Sequence, residues 1–202
     1  MNATTCLQML RDIKDVSFAT VDQQNKPQVR IIDVMLVEND TLYFCTARGK
    51  NFYLQLMSNR EVAIVGMNQQ FQMIRLTGKV ITVSQQKEWI DRIFFENPSM
   101  KDLYPDDSRY ILEPFCISSG EIEFFDLSKR PIYREYYVFG NATVEVRGYT
   151  ITDICISCGK CYKICPQRSI VKEGYYKIEQ NHCLHCGLCF VSCPVQAIER
   201  RG

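Results

Sequence analysis

The sequence predicts a mainly β domain with a few helices, followed by a small α+β module. Three observations predict it. Short alternating or β-branched stretches recur from Val16 to Phe139, divided by polar and glycine-bearing turns, the pattern of antiparallel strands. Few segments in that region carry helical spacing, which argues a barrel or sandwich and not a βαβ sheet. Eight of the eleven cysteines then fall between Cys155 and Cys193, in a tail with a periodicity of its own. The 202 residues allow one or two domains. Gly140-Asn141-Ala142 reads as the boundary, giving domains 1–141 and 142–202, the first long enough to bury its own core.

Taken in order, Thr4 and Thr5 are candidate caps for an opening helix through Ile13. Val16–Val21 reads as a strand, Asp22–Pro27 as a polar turn, and Gln28–Glu38 as a second strand rich in Val and Ile. Glu38-Asn39-Asp40 turns it into Thr41–Thr46, so these three strands form a meander. Phe52–Ser58 suits a short helix with Asn59 as its cap. Glu61–Met67 is a further strand. Phe71–Ser84 is a long one, with Gly78 as a bend or bulge. Gln85–Glu96 is an amphipathic helix carrying Trp89, Ile90, Ile93 and Phe94, ended by Pro98. Tyr110–Asp126 holds one or two strands around Pro114 and Gly120, and Tyr133–Phe139 is the last.

The tail reads Cys155-x-x-Cys158-x-x-Cys161-x-x-x-Cys165-Pro166 and repeats 28 residues later as Cys183-x-x-Cys186-x-x-Cys189-x-x-x-Cys193-Pro194. Structural zinc uses pairs of Cys-x-x-Cys, not a triplet with a distant fourth. A disulfide framework belongs to an oxidising compartment. The triplet plus Cys-Pro is the run that wraps cubane iron–sulfur clusters, with the fourth cysteine ligating the other cluster. That fourth cysteine is expected to lead into a short helix. Two [4Fe–4S] clusters follow. Cluster 1 takes Cys155, Cys158, Cys161 and Cys193; cluster 2 takes Cys183, Cys186, Cys189 and Cys165. The segment from about 148 to 200 resembles the bacterial two-cluster ferredoxins. Cys6, Cys45 and Cys116 read as small core residues. His182 and His185 read as exposed loop residues that tune cluster potential through hydrogen bonds to sulfur.

The formal net charge is +1, so nothing argues for nucleic acid. From Thr143 on, 8 Lys and Arg face 5 Asp and Glu, which partly compensates the charge of thiolate-bound clusters. No apolar run is long enough to span a bilayer. The N-terminus lacks a basic region followed by an apolar one. A cytoplasmic, reducing location is the expectation. No Gly-x-Gly-x-x-Gly or Walker sequence occurs, so neither a Rossmann site nor a P-loop is expected.

Several pieces occur in a telling order: Arg30 on a strand, a hairpin to Tyr43-Phe44-Cys45-Thr46, a loop with Gly49-Lys50-Asn51, and a helix with Gln55-Leu56. Asn59-Arg60-Glu61-Val62 and the strand Ile74–Lys79 complete it. This set resembles the flavin-binding split barrel of the pyridoxamine 5′-phosphate oxidase-like superfamily. The resemblance implies a split antiparallel barrel and a homodimer with FMN at the subunit interface. It implies that Arg30, Thr46, Lys50 and Asn51 gather round the flavin phosphate. A dianion does need cations and short donors at one point, near a helix N-terminus. Ile31, Ile32, Asp33 and Val34 would run under the ring, and Gln72 would reach it. The chain departs from the oxidase at Met35, where that enzyme has a basic residue, and the ferredoxin-like tail replaces the oxidase's substrate-binding segment. Pyridoxamine phosphate oxidation is therefore not the expectation.

Clusters move single electrons, and a flavin takes single electrons and releases pairs. The fusion thus suggests an FMN-dependent reductase of an anaerobic type. It would be fed by a redox donor protein or reduced carrier, and would deliver electrons to a small organic acceptor. The competing expectation is an electron carrier or redox sensor without its own substrate. A haem- or deazaflavin-binding barrel is a third, separable by its spectrum.

Overall fold

A computed structural model describes all residues, Met1–Gly202. The chain forms two compact units. The first comprises Met1–Asn68, Met73–Glu123 and Tyr137–Thr143; the second comprises Gln69–Gln72, Phe124–Tyr136 and Val144–Gly202.

The opening helix α1 spans Ala3–Ile13 and is capped by Asn2, whose side chain accepts from the Thr5 amide. The cap thus lies earlier than Thr4 or Thr5. Strands β1 (Asp15–Val21) and β2 (Pro27–Asp33) pair antiparallel, with Phe18 opposite Arg30. The expected single strand Gln28–Glu38 is in fact two, since β3 (Leu36–Glu38) pairs with β4 (Thr41–Ala47) in a different sheet. The break is at Val34 and Met35. The Val34 amide donates to the Lys14 carbonyl at 2.9 Å and the Met35 amide to the Tyr43 carbonyl at 2.9 Å, so the backbone turns a corner there. The three-strand meander is corrected accordingly. Helix α2 (Asn51–Ser58) leads to β5 (Glu61–Met67). The long strand expected at Phe71–Ser84 breaks in the same way into β6 (Gln72–Lys79) and β7 (Ile81–Thr82), around the buried Val80.

Helix α3 (Gln86–Glu96), helix α4 (Met100–Leu103) and a 3-10 turn at Asp106–Ile111 lead to β8 (Leu112–Ile117), β9 (Gly120–Asp126) and β10 (Tyr133–Phe139). One sheet runs β10-β9-β6-β5-β1-β2 and the other β3-β4-β8-β7. Apolar alternation fills the space between them. Phe18 of β1, Phe44 of β4 and Phe52 of α2 meet with ring centroids 4.8 and 5.2 Å from Phe18, and Phe115 of β8 stacks at 5.6 Å from Phe44. Strand β4 is buried on both faces. Cys45 and Ala47 turn away from those rings and pack with Met35, Ile90, Ile93, Phe94 and Leu112. The fold is therefore mainly antiparallel β with a small C-terminal module, as the sequence indicates.

In the second unit, β11 (Gly148–Ile151) pairs with β14 (Ile198–Arg201), and β12 (Ile170–Glu173) with β13 (Tyr175–Ile178). Helices α5 (Lys160–Ile164) and α6 (Leu188–Ser192) each begin after a left-handed glycine and stop at the fourth cysteine of their repeat. The short helix thus precedes Cys165 and Cys193, reversing the expected order. The two halves repeat each other closely. Gly159 and Gly187 have φ of 72° and 77°, and a Cβ at either would fall 2.8 Å from a tyrosine hydroxyl, of Tyr176 and Tyr149 respectively.

Candidate functional site

The cysteine loops are local devices. Ser157 and His185 share a positive φ of 55°, which lets each loop fold back so that its three thiols face inward. The Cys155 amide donates to the Thr152 carbonyl at 3.2 Å and the Cys183 amide to the Gln180 carbonyl at 3.1 Å. One hollow of ≈ 350 Å³, partly open to solvent, is lined by Cys165, Cys183, Cys186 and Cys189 among others. A second of ≈ 320 Å³, also partly open to solvent, is lined by Cys155, Cys158, Cys161 and Cys193 among others. Each hollow therefore joins the triplet of one repeat to the fourth cysteine of the other. No three of these thiols gather tightly enough for a single ion. Burial pushes the Cys161 and Cys183 thiols up, and the Cys189 thiol up to about 11. Ligation requires thiolates, so metal loading here displaces protons.

The neighbours of the thiols are specific. Ser169 Oγ lies 3.3 Å from Cys165 Sγ. The Ala197 amide donates to Cys193 Sγ at 3.2 Å and the His185 amide to Cys183 Sγ at 3.4 Å. The tip of the β9–β10 hairpin reaches the same half. The buried Arg134 donates to the Cys183 carbonyl at 3.0 Å and lies 4.7 Å from the Phe125 ring centroid. The Ile132 amide donates to Gln167 Oε1 at 3.0 Å, and His182 Nδ1 lies 2.9 Å from the Ile132 carbonyl. His182 and His185 are half-buried, not exposed. A histidine-to-sulfur bond comes from the His185 backbone amide.

In the first unit, Arg30 points inward from β2. Its guanidinium donates to Thr20 Oγ1 at 2.7 Å and to Gln55 Oε1 at 2.8 Å, and it lies 4.5 Å from the Phe52 ring centroid. Thr20 in turn donates to Gln55 Oε1 at 2.7 Å. No carboxylate pairs with Arg30, and burial lowers its pKa. A half-buried cation answered only by neutral oxygens is poised for an anion. Asn51 and Gln55 line a polar cleft of ≈ 590 Å³, much of it open to solvent, together with Asp22, Gln23, Gln24, Gln28 and Leu54. Lys50 is the residue just before α2 and is exposed. Its ammonium and the Asp33 carboxylate both act electrostatically on Cys45, which places them round one region. Thr46 is buried on β4, next to Cys45 in the chain.

The remaining expected residues are placed differently. Ile31 faces away from Arg30 and is 60% exposed, while Ile32 and Asp33 are half-buried. Val34 is buried, and its amide and carbonyl are taken by Lys14 and Arg11. Strand β2 closes its sheet, so its outer edge carries the unpaired backbone groups that a ligand needs. Gln72 belongs to the second unit and donates to Asp126 Oδ2 at 3.1 Å. Thr20 and Phe52 escape sequence reasoning. Their one signal is an arginine at an inward-facing position of a strand, which must find partners on whatever it faces.

Against this geometry the comparisons are decisive. The pyridoxamine 5′-phosphate oxidase family profile matches residues 4–103, and the 4Fe–4S dicluster domain profile matches residues 154–197. The chain joins a pyridoxamine 5′-phosphate oxidase-like domain to a 4Fe–4S dicluster domain. Among solved structures, a NimC/NimA family protein from Clostridium acetobutylicum is 25% identical, with a TM-score of 0.58 over 68% of this chain and 93% of that one. A protein from the same organism, related to general stress protein 26 of B. subtilis and of the pyridoxinephosphate oxidase family, is 11% identical, with a TM-score of 0.53 over 66% and 94%. A haem-binding protein from Mycobacterium smegmatis is 10% identical, with a TM-score of 0.52 over 67% and 57%. The last two show the fold alone. No curated protein is significantly similar to the chain. No helix is long and apolar enough to cross a membrane.

Proposed function

We propose that this is an iron–sulfur flavoprotein that passes electrons from two [4Fe–4S] clusters through FMN to a small organic acceptor. The observation that carries the reading is the placing of eight thiols round two hollows, in a chain whose other domain is of a flavin-binding type. The thiol quartets suit two cubane clusters, which supply one-electron transfer, and the flavin converts single electrons to pairs. Arg30, Lys50, Asn51 and the first amides of α2 suit the FMN phosphate, since they offer two cations and helix-end donors. The edge of β2 from Arg30 to Asp33 offers backbone groups to the ring. Thr46 is assigned to the same site. The functional division falls at 141/142, with the hairpin tip lent to the cluster unit.

A homodimer supplies the second wall. Val29, Ile31, Ala63 and Met67 share the outer face of the large sheet, with Val29 at 72%, Ile31 at 60% and Met67 at 51% exposure. Exposed apolar residues grouped on one sheet face suit an interface. The upstream partner is a redox donor protein or reduced carrier, and the setting is the reducing cytoplasm. The test is anaerobic. The holo-protein is reduced and its bound flavin is offered small acceptors, other redox proteins and oxygen in turn. Rapid reoxidation by particular small acceptors supports the reductase. Reoxidation only by redox proteins or oxygen makes it a carrier or sensor. Release of haem or deazaflavin on denaturation, in place of FMN, overturns the reading.

A further inference from the structure

The two halves of the cluster module are close copies, so a difference between them carries information. Ser169 and Ala197 hold the same place in the two repeats. The Ser169 carbonyl accepts from the Glu179 amide at 2.7 Å, and the Ala197 carbonyl accepts from the Thr152 amide at 2.8 Å. Both are buried. Yet only Ser169 carries a hydroxyl, and that hydroxyl lies 3.3 Å from Cys165 Sγ. Cys193, the counterpart of Cys165, is served by the Ala197 amide alone.

A second difference points the same way and comes from a different element. The guanidinium of Arg134, on the β9–β10 hairpin, donates to the Cys183 carbonyl at 3.0 Å. Cys155, the counterpart of Cys183, has no such donor on its carbonyl and is less buried. Cys165 and Cys183 line one hollow, Cys155 and Cys193 the other. Both differences therefore fall on cluster 2.

Donors to ligand sulfur, and positive charge beside a ligand, stabilise the reduced and more negative form of a cluster. We propose that Ser169 and Arg134 set cluster 2 at the higher potential, so that an electron entering the module comes to rest there. The transfer is one electron without a proton: cluster 1 is oxidised by one as cluster 2 is reduced by one. Ser169 acts on a ligand sulfur directly, and Arg134 is a positioning residue that acts through Cys183. The inference rests on the two-cluster reading above.

The test is a dithionite redox titration of the reconstituted full-length protein, followed by electron paramagnetic resonance. Iron and sulfide are counted first. A shortfall to one cluster counts against the two-cluster reading; two full clusters with coincident potentials count against this inference. The expected result is two one-electron waves at least about 59 mV apart, a tenfold preference. Ser169→Ala should lower the upper wave and leave the lower one in place. Ala197→Ser should raise the lower wave. Arg134→Gln should lower the upper wave, with Arg134→Lys restoring most of the shift. Movement of the lower wave by Ser169→Ala, or no movement of either, overturns the proposal.

Discussion

Arg30 is the residue on which the proposed flavin site turns. Its guanidinium meets only Thr20, Gln55 and the Phe52 ring, so its charge is left for a ligand. Arg30→Ala is expected to weaken FMN binding by roughly 2 kcal/mol, the range for a hydrogen bond to a charged group. Lys50→Ala, at an exposed position, should cost about half of that. Flavin fluorescence on equilibrium dialysis measures both, and iron content should stay unchanged; full flavin occupancy in either variant would count against the site. Cys165→Ala should remove the cluster that Cys183, Cys186 and Cys189 hold and spare the other, read from the two signals in the spin-resonance spectrum. Loss of the cluster held by Cys155, Cys158 and Cys161 would contradict the crossed pairing. Cys45 is a thiol of another kind. Burial pushes it up to about 12, so it stays protonated at neutral pH. Alkylation of the native protein followed by peptide mapping should leave it unmodified until the chain unfolds.

At the scale of elements, the corners decide the architecture. The Asn97 side chain, buried at the end of α3, donates to the Met35 carbonyl at 2.9 Å and the Ile93 carbonyl at 2.9 Å. It ties the helix to the point where β2 gives way to β3. Asn97→Ala should lower stability by about 1–3 kcal/mol, since it strands a buried carbonyl; urea denaturation gives the value, and no loss would mean that the corner holds itself. These corners also show what the sequence could and could not tell. Val29–Val37 and Phe71–Ser84 are rich enough in β-branched and aromatic residues to be legible as strands. Nothing in period-two alternation says where a strand leaves one sheet for another, because contacts with Lys14, Tyr43 and Arg60 make that choice. The cysteine loops were legible almost whole, since ligand spacing is a local property. The Arg30 site was legible only in part. Its cation announces itself, but Thr20 and Gln55 lie 10 and 25 residues away and join it through packing alone.

For the whole molecule, the useful fact is that Phe124–Tyr136 clusters with the cysteine tail and not with the rest of its own strands. Three hydrogen bonds from Ile132 and Arg134 secure the segments that carry Cys165 and Cys183. A fragment 142–202 should therefore bind iron but lose cluster 2 faster on exposure to air than the full chain does, followed by bleaching of the visible absorbance. Equal lifetimes would show the hairpin to be dispensable. Under the proposed function the cluster module is an internal feed to the flavin. That claim is tested most directly by flash photoreduction of the anaerobic holo-protein at less than one electron per chain, with cluster and flavin absorbance followed together. The account requires cluster bleaching to recover as the flavin is reduced, at a rate independent of protein concentration. A flavin that stays oxidised, or one reduced at a rate proportional to concentration, would contradict it.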